Sequence, residues 1–518
     1  MRTRALTVVE TTRREIFLLV SRALSAGYAR FPAERFTVLA HRLAVADDAW
    51  LARLADWMTR HDSLRRLRLA IVAELAHARL STGTTGTRKT ISQALLRADE
   101  PGELLTYWIH RYGRAIPKPI RQGVADATIR LYDEAALATY DSPGAAMRFA
   151  DVLGLTHPVP ASDQQAKVFG HAVDRRRNLV ERVPAGLPLL RARRSLHWIP
   201  AQRRATLLQR PEAAERLALT GMSWQTIERW LLGDMTAPAW IAVLPSMSYQ
   251  DRLAHLADFD RTGLCDEVAH AIAADLADPA SVIRSGVTPL EIYAAMRSVP
   301  ASRWSSALRQ AAHLSLTNVP ALPGHTLVLI DRSDPRPHPR SEPRSEPRSE
   351  PRSNPRPDPR SEPRSNPRPD PRSEPRSEPR ANPQSDPRSD STVGPASPSF
   401  THADAAAVFG AALALRASSA DLVEFGTVTA HVPLRGRSLP ETVDSLHPIG
   451  GVASPARAIR DHLKDHNRVV ILTHPDSAAE TAEAITTPGQ EHIITNVSSG
   501  WFTAIPLIEM ARIAAWPF

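Results

Sequence analysis

Residues 307–333 read ALRQAAHLSLTNVPALPGHTLVLIDRS and contain the change of secondary structure that decides the fold. In the first half of this stretch, apolar residues recur three and four positions apart, which predicts an amphipathic helix. After Gly324 comes an apolar run, HTLVLID, of the composition typical of a buried strand in a parallel sheet. We therefore expect a helical domain at residues 1–320 and an α/β domain at residues 324–518.

The segment before this junction is predicted to be all-α. From about Arg13 to Leu316, apolar residues recur at i, i+3, i+4 and i+7, as in DDAWLARLADWMTRH and LRRLRLAIVAELAHARL. Breaks such as Pro101-Gly102 and Pro117 fall between these segments, where helices start and stop. Many short helices on short connections indicate an α-solenoid or a ring of helical hairpins, with no strict repeat period.

The segment after the junction alternates strands with helices. The runs HTLVLID, ADLVEFG, RVVILTH and EHIITNV are strand-like, whereas ADAAAVFGAALALRA, SPARAIRDHLKDH and FTAIPLIEMARIAAW are helical. This alternation predicts a doubly wound α/β domain with a parallel sheet.

A proline repeat interrupts the α/β segment at residues 334–399. From Pro335 to Pro387 a proline recurs at every fourth position, mostly as Pro-Arg-Ser-Glu. Proline removes an amide donor and disfavours helix in the preceding residue, and apolar side chains to offset the ordering entropy are lacking. We predict that this insertion is disordered and partly polyproline II. Three roles remain open for it: an expanded tract without a function, a tail that docks proteins, or an Arg-rich arm that contacts RNA.

Composition narrows the class of protein. The 518 residues carry a formal net charge of +9 and a single cysteine, Cys265, which fits a reducing cytoplasm and excludes cysteine-based zinc sites. No apolar run reaches the 18 to 20 residues of a membrane span, and acids and arginines interrupt the N-terminal run, so we read it as a first helix. The positive charge indicates either a solvated surface or a polyanionic partner.

Asp331 and Ser333 follow the first predicted strand, at the edge of a doubly wound sheet where ligands gather. A carboxylate and a hydroxyl suit Mg²⁺, which takes about six oxygen ligands. The pair resembles the start of the Asp-x-Ser-x-Ser metal site of von Willebrand factor A domains, which a threonine from a Gly-rich loop and a later aspartate complete.

The remaining positions depart from that pattern. Pro335 stands at the third ligand position, Val452 replaces the threonine with Ser454 nearby, and His474 replaces the aspartate. We therefore interpret the metal site as vestigial, with Mg²⁺ as its only candidate ion and no cofactor implied elsewhere. The proline repeat enters the metal loop itself, where a long insertion adds little to the entropy of loop closure.

The junction at residues 307–333 also resembles that of TROVE-domain proteins, the Ro autoantigen family. Similar stretches are FADVLGLTHPVP, HADAAAVFGAALALRASSADLVEFG and LLRADEPGELLTYWIHRYGRAIPKPIRQGVADATIRLYDEAALATYDS. The resemblance implies a HEAT-like helical ring closed by a von Willebrand A-like domain. Such rings bind the single-stranded 3′ ends of misfolded non-coding RNA through the hole and small Y RNAs on the basic outer face. Bacterial relatives act in RNA maturation and degradation alongside an exoribonuclease.

The candidate RNA-binding residues lie mainly in HRYGRAIPKPIRQGVADATIR, because arginine forks bind phosphate in a bidentate way. His157 matches a family histidine in a segment associated with RNA contact, and Arg148 substitutes for family basic residues absent near Tyr140 and Gly144. The full set is Arg111, Arg114, Lys118, Arg121, Arg130, Arg148 and His157. Further basic runs are at residues 65–68 and 175–177, each of which taken alone is typical of a solvated face.

These observations predict a non-catalytic, cytoplasmic RNA-binding scaffold that forms a ribonucleoprotein with small non-coding or misfolded RNA. The alternative is a protein-interaction scaffold without specific RNA binding. A phosphate-loop reading of GTTGTRKT fails because Arg88 stands where glycine must precede Lys89. The sequence offers no catalytic motif, so we predict that the protein is not an enzyme.

Overall fold

The computed structural model describes residues 7–28, 31–177, 183–299, 302–333, 400–447, 449–451, 454–475, 481–482 and 491–518. The predicted disordered insertion at 334–399 lies outside these residues, as do Pro335 and Val452 of the metal-site comparison.

The first part of the chain is built of α-helices joined by short connections. These are α1 (Val8–Ala26), α2 (Ala33–Ala46), α3 (Asp48–Trp57), α4 (Arg65–Ser81), α5 (Thr87–Ala94), α6 (Glu100–Tyr112), α7 (Lys118–Leu131), α8 (Glu134–Tyr140), α9 (Phe149–Thr156), α10 (Asp163–Arg176), α11 (Pro188–His197), α12 (Ala201–Leu208), α13 (Ala213–Ala218), α14 (Trp224–Leu231), α15 (Ala237–Val243), α16 (Tyr249–Ala254), α17 (Leu256–Arg261), α18 (Asp266–Leu276), α19 (Pro279–Ser285), α20 (Pro289–Ser298) and α21 (Ser305–Leu314).

Local capping chemistry sets several helix ends. Thr7 caps α1 by accepting from the amide of Glu10, whose carboxylate accepts from the amide of Thr7 in return. Asp133 accepts from the amide of Ala136 and thereby separates α8 from α7. The cap at Asp133 explains why the periodic stretch of sequence at residues 118–140 forms two helices.

The second part of the chain forms a mixed α/β unit. Its elements are β1 (Leu322–Asp331), α22 (His402–Arg416), β2 (Ala417–Phe425), β3 (Thr429–Val432), α23 (Leu439–Asp444), α24 (Pro455–His462), β4 (Arg468–Leu472), β5 (Glu491–Ile494) and α25 (Gly500–Arg512). The strand order is β3-β2-β1-β4-β5, with every pair parallel except β2 and β3. All four predicted strands and all three predicted helices are present, while β3 and α23 were not predicted.

Both faces of the sheet are buried, as the apolar composition of β1 predicts. Leu327 and Leu329 point to the face covered by Ile459 of α24, and Val328 and Ile330 belong to the core cluster that includes α22. Helices therefore cover opposite faces, which confirms the doubly wound arrangement.

Among the described residues, two large hydrophobic clusters and the smaller one under α24 make up the core, and each of the two large clusters spans distant parts of the chain. The boundary between the two large clusters crosses α11 between Leu190 and Leu196, and it crosses α25 between Ile505 and Leu507. The cluster that contains Leu196 continues across the junction into the sheet. Secondary structure changes between residues 318 and 322. The two-domain division at residues 320–324 nevertheless stays a prediction, because one core runs across it.

The first and last helices pack against each other, while α20 packs on α22. The aromatic C-terminus adds to the first of these contacts, since Trp516 lies against Trp50 with ring centroids 5.1 Å apart and against Phe17 at 5.3 Å. The helical part is thus joined to the α/β part at both of its ends. No helix in the part of the chain that the structure describes combines the length and apolarity that crossing a bilayer requires.

Candidate nucleic-acid interface

A strip of cationic side chains runs from the end of α6 into α7. Residues 104–125 contain no Asp or Glu, yet they hold Arg111, Arg114, Lys118 and Arg121, all of them exposed. We call these four residues the basic strip. The next carboxylate along the chain, Asp126, is already bound by another arginine at 2.6 and 2.7 Å. The strip therefore presents excess positive charge to solvent.

Helix packing turns the strip outward. α6 ends at Gly113, whose φ of +87° lies in the left-handed region that glycine adopts readily. α7 then packs closely on α5, because a Cβ at Gly123 would lie 2.6 Å from the carbonyl oxygen of Arg88. With that face of α7 buried, Lys118 and Arg121 share an exposed face at i, i+3, as predicted from the sequence.

Arg111 differs from the rest of the strip in having a carboxylate nearby. The fully buried Glu74 accepts hydrogen bonds from the hydroxyls of Tyr112 at 2.6 Å and Tyr107 at 3.0 Å, and lies 2.9 Å from Nδ1 of His41. Arg111 reaches it with Nε at only 3.5 Å. Burial, together with Glu74, raises the pKa of Tyr112, which therefore keeps its proton and continues to donate.

The other two predicted arginines make structural contacts. Nη2 of Arg130 donates to the carbonyls of Ser92 and Leu95 at 2.7 and 2.6 Å, at the end of α5. Arg148 donates two hydrogen bonds to the carboxylate of Asp141, whose side chain is 1% exposed. Arg175 also approaches this carboxylate, at 3.7 Å. Their roles in RNA binding stay predictions, but both side chains already satisfy buried polar groups.

His157 lies apart from the basic strip in the helix order, at the end of α9. It is exposed and has a φ of +49°, a rare conformation for a residue other than glycine. Its amide donates to the carbonyl of Leu153, so it ends the helix, and it borders a depression of about 430 Å³ shared with Pro158 and Phe169. The imidazole ring of His157 is therefore accessible to a ligand, and the end of α9 fixes the position of its backbone.

The other two basic segments, residues 65–68 and 175–177, each contain arginines that pair with carboxylates and an arginine that is exposed to solvent. In residues 65–68, Arg65 binds Asp99 and Glu103 and Arg68 is buried against Glu100, while Arg66 is exposed. In residues 175–177, the first two arginines bind aspartates and the third is exposed. Arg66 also lines a cavity of about 740 Å³ together with His110 and Tyr140.

A further basic surface, at α11 and α12, was not predicted from the sequence. Residues 187–211 contain six arginines and no carboxylate, and Trp198 between the two helices is 75% exposed. Arg193 and Arg204 donate to main-chain carbonyls of neighbouring segments, whereas Arg191 and Arg203 point to solvent. The absence of acids over 25 residues was the signal in the sequence that could have revealed it.

At the carboxyl edge of the sheet, Asp331 and Ser333 lie together as predicted. Ser333 donates its hydroxyl to Oδ1 of Asp331 at 2.6 Å, and Thr473 donates to Oδ2 at 2.8 Å. Thr473 was not predicted, because the family pattern places its ligand at the neighbouring position, His474. Ser454 caps α24 through the amide of Arg457. Both carboxylate oxygens thus have protein donors, and the vestigial character of the site stays a prediction.

No family model matches the sequence, and no curated protein matches it significantly. A solved structure does match: the Ro (RSR) protein of Deinococcus radiodurans, at 15% identity, with a TM-score of 0.62 over 96% of this chain and 100% of that one. The chain has the Ro fold. This likeness confirms, at the level of the fold, the resemblance inferred from residues 307–333. The basic strip and the surface at α11 and α12 both lie in the helical part of this fold.

Proposed function

We propose that this protein is a non-catalytic RNA-binding scaffold. The observation that carries the proposal is the basic strip, four exposed cations in a stretch of sequence without Asp or Glu, on a chain with the Ro fold. Phosphate binding needs cations whose charge is not already compensated, and Arg114, Lys118 and Arg121 make no ion pair with the residues that the structure describes.

Small non-coding RNA of the Y type and 3′ single-stranded ends of misfolded RNA are the proposed ligands. The cavity that Arg66, His110 and Tyr140 line, of about 740 Å³, lies next to the strip in sequence and is large enough for an unstacked base. A ribonucleoprotein in the cytoplasm, acting in RNA maturation or quality control with an exoribonuclease, completes the proposal.

The test is RNA binding measured across a salt series. For single-stranded RNA, the slope of log K against log salt is about −0.7 per neutralised phosphate. Replacing Arg114, Lys118 and Arg121 by glutamine should make the slope less negative by about 2 and weaken binding at every sequence.

A matched control removes three exposed charges from the α/β part instead. Arg435→Gln, Arg457→Gln and Arg460→Gln together change the net charge equally and should leave the slope unchanged. If both triple variants lost RNA affinity equally, the RNA would be attracted to the net charge of the protein and not to the basic strip. Weak binding that does not respond to salt would contradict RNA binding and favour the alternative, a protein-interaction scaffold.

A further inference from the structure

Three potential metal ligands meet on the α24 face of the sheet, towards the amino ends of its strands. His325 lies early in β1, Asp421 lies in β2, and His466 lies just before β4. Oδ2 of Asp421 is 3.0 Å from Nε2 of His466 and 3.3 Å from Nε2 of His325. One ligand atom from each residue lies within 4.8 Å of the other two. This cluster is distinct from the site at Asp331, at the opposite ends of the strands.

The backbone holds the two imidazoles side by side. The amide of His325 donates to Oδ1 of Asn467 at 2.6 Å, and the amide of Asn467 donates to the carbonyl of His325 at 2.8 Å. Gly324 makes this approach feasible, because its φ is +81° and a Cβ there would lie 2.4 Å from Oδ1 of Asn467. The ring centroids of His325 and His466 are consequently 4.1 Å apart.

The donor set selects a class of ion. Two imidazole nitrogens and one carboxylate suit Zn²⁺ and neighbouring transition metals, whereas Mg²⁺ prefers oxygen ligands alone. The side chains of His325 and Asp421 are 34% and 39% exposed and that of His466 is 1% exposed, so an ion can enter from solvent onto a fixed inner ligand.

Without an ion, hydrogen bonds occupy the ligand atoms of His466. Its Nδ1 accepts from the amide of Lys464 at 3.1 Å, so the ring proton sits on Nε2 and points at Asp421. An ion that binds Nε2 displaces this proton, and the ring then carries its proton on Nδ1, which ends the bond from Lys464. Losing one such hydrogen bond is a small cost beside the free energy that three protein ligands contribute to binding a Zn²⁺ ion.

We propose that His325, Asp421 and His466 bind one divalent transition-metal ion of the Zn²⁺ class, with water completing its coordination. The ion would link β1, β2 and the turn before β4. The link lies near the start of β1, which is the first strand after the helical part of the chain.

The full-length protein, stripped with a chelator, is titrated with Zn²⁺ against a chelating indicator and with Co²⁺ by visible absorption. We expect one saturable site, and an unfolding temperature that rises with added Zn²⁺. His325→Gln and Asp421→Asn should each weaken binding at least about tenfold. His462→Gln is the matched control, since His462 lies on the same face with its Nε2 3.0 Å from Oγ1 of Thr429.

Each outcome either supports the site or overturns it. Because a third of the side chain of His325 is exposed, His325→Gln should fold even if a change at Asp421 disturbs the sheet, and circular dichroism checks this. The absence of saturable binding by the wild type overturns the proposal. Binding that His325→Gln leaves unchanged, or that His462→Gln weakens equally, overturns it too.

Discussion

Ser498 donates a hydrogen bond from its hydroxyl to the main-chain carbonyl oxygen of Ser25, at 2.5 Å. The two residues are 473 positions apart in the chain, one just before α25 and the other in the last turn of α1. Two residues further on, Gly500 approaches the carbonyl of Leu24 so closely that a Cβ at position 500 would lie 1.9 Å from that oxygen. The first and last helices therefore meet backbone to backbone.

Gly500→Val should destabilise the protein by about 3 kcal/mol or more, because the obstructing atom is main chain and cannot move aside as a flexible side chain can. Denaturant unfolding measures the change. Gly154→Ala, in α9 where a Cβ meets nothing within 4 Å, is the control and should stabilise by about 0.5–1 kcal/mol. Unchanged unfolding of Gly500→Val would contradict the contact between α1 and α25.

Arg148→Ala should cost about 3 kcal/mol of folding free energy, because among the described residues it leaves the buried carboxylate of Asp141 with Arg175 as its remaining cation, at 3.7 Å. Arg177→Ala, the loss of an exposed arginine on the same part of the fold, should stay within about 0.5 kcal/mol. RNA affinity of folded Arg148→Ala should match the wild type. Preserved stability with lost affinity would instead make Arg148 an RNA contact, as predicted from the sequence.

Asp331→Ala should destabilise by about 1–3 kcal/mol, because the hydroxyls of Ser333 and Thr473 lose their shared acceptor. Calorimetric titration of the wild type with Mg²⁺ or Mn²⁺ should show no binding in the micromolar range. Micromolar binding that disappears in Asp331→Ala would overturn the interpretation of a vestigial metal site.

Glu509 should make folding sensitive to acid. Burial raises the pKa of its carboxyl, but hydrogen bonds from His492 and Arg468 outweigh burial and hold the pKa at about 2, against an ordinary value of 4.5. Because the pKa is lower in the folded than in the unfolded chain, ionised Glu509 contributes stability above pH 4.5 that is lost as the pH falls towards 2. The contribution is about 3 kcal/mol.

Glu509→Gln should therefore flatten the decline of unfolding free energy between pH 4.5 and pH 2, measured by denaturant titration at each pH. Glu212→Gln removes an exposed carboxylate and should leave the wild-type decline in place. A Glu509→Gln variant with the wild-type pH profile would show that the bonds from Arg468 and His492 do not perturb this group.

Trp198→Ala should reduce affinity for single-stranded RNA by about 1–3 kcal/mol if bases stack on this ring beside Arg191 and Arg203. The side chain is 75% exposed, so stability should change little. Filter binding with unstructured RNA measures the effect, and Trp198→Phe should restore much of the affinity. Full affinity in Trp198→Ala would confine RNA contact to other surfaces.

Periodicity predicted the secondary structure well, because the spacing of apolar residues reports directly which face of an element is buried. In the α/β part, β3 and α23 escaped prediction; they are four and six residues long, and a period registers weakly over so few residues. The candidate site was harder to predict. Arg111, Arg114, Lys118 and Arg121 are exposed as a binding surface requires, but charge alone did not reveal that Arg130 and Arg148 serve neighbouring carbonyls and a buried carboxylate.

The sequence by itself determined the order of helices and strands, the edge of the sheet on which Asp331 and Ser333 lie, and the segments of excess positive charge. These properties follow from residue spacing and composition, which are local. Only the tertiary structure decided which arginines remain free, that α1 meets α25, and that His325, Asp421 and His466 converge. Each depends on contacts between residues tens to hundreds of positions apart, and such contacts arise only when the packed elements bring distant backbone together.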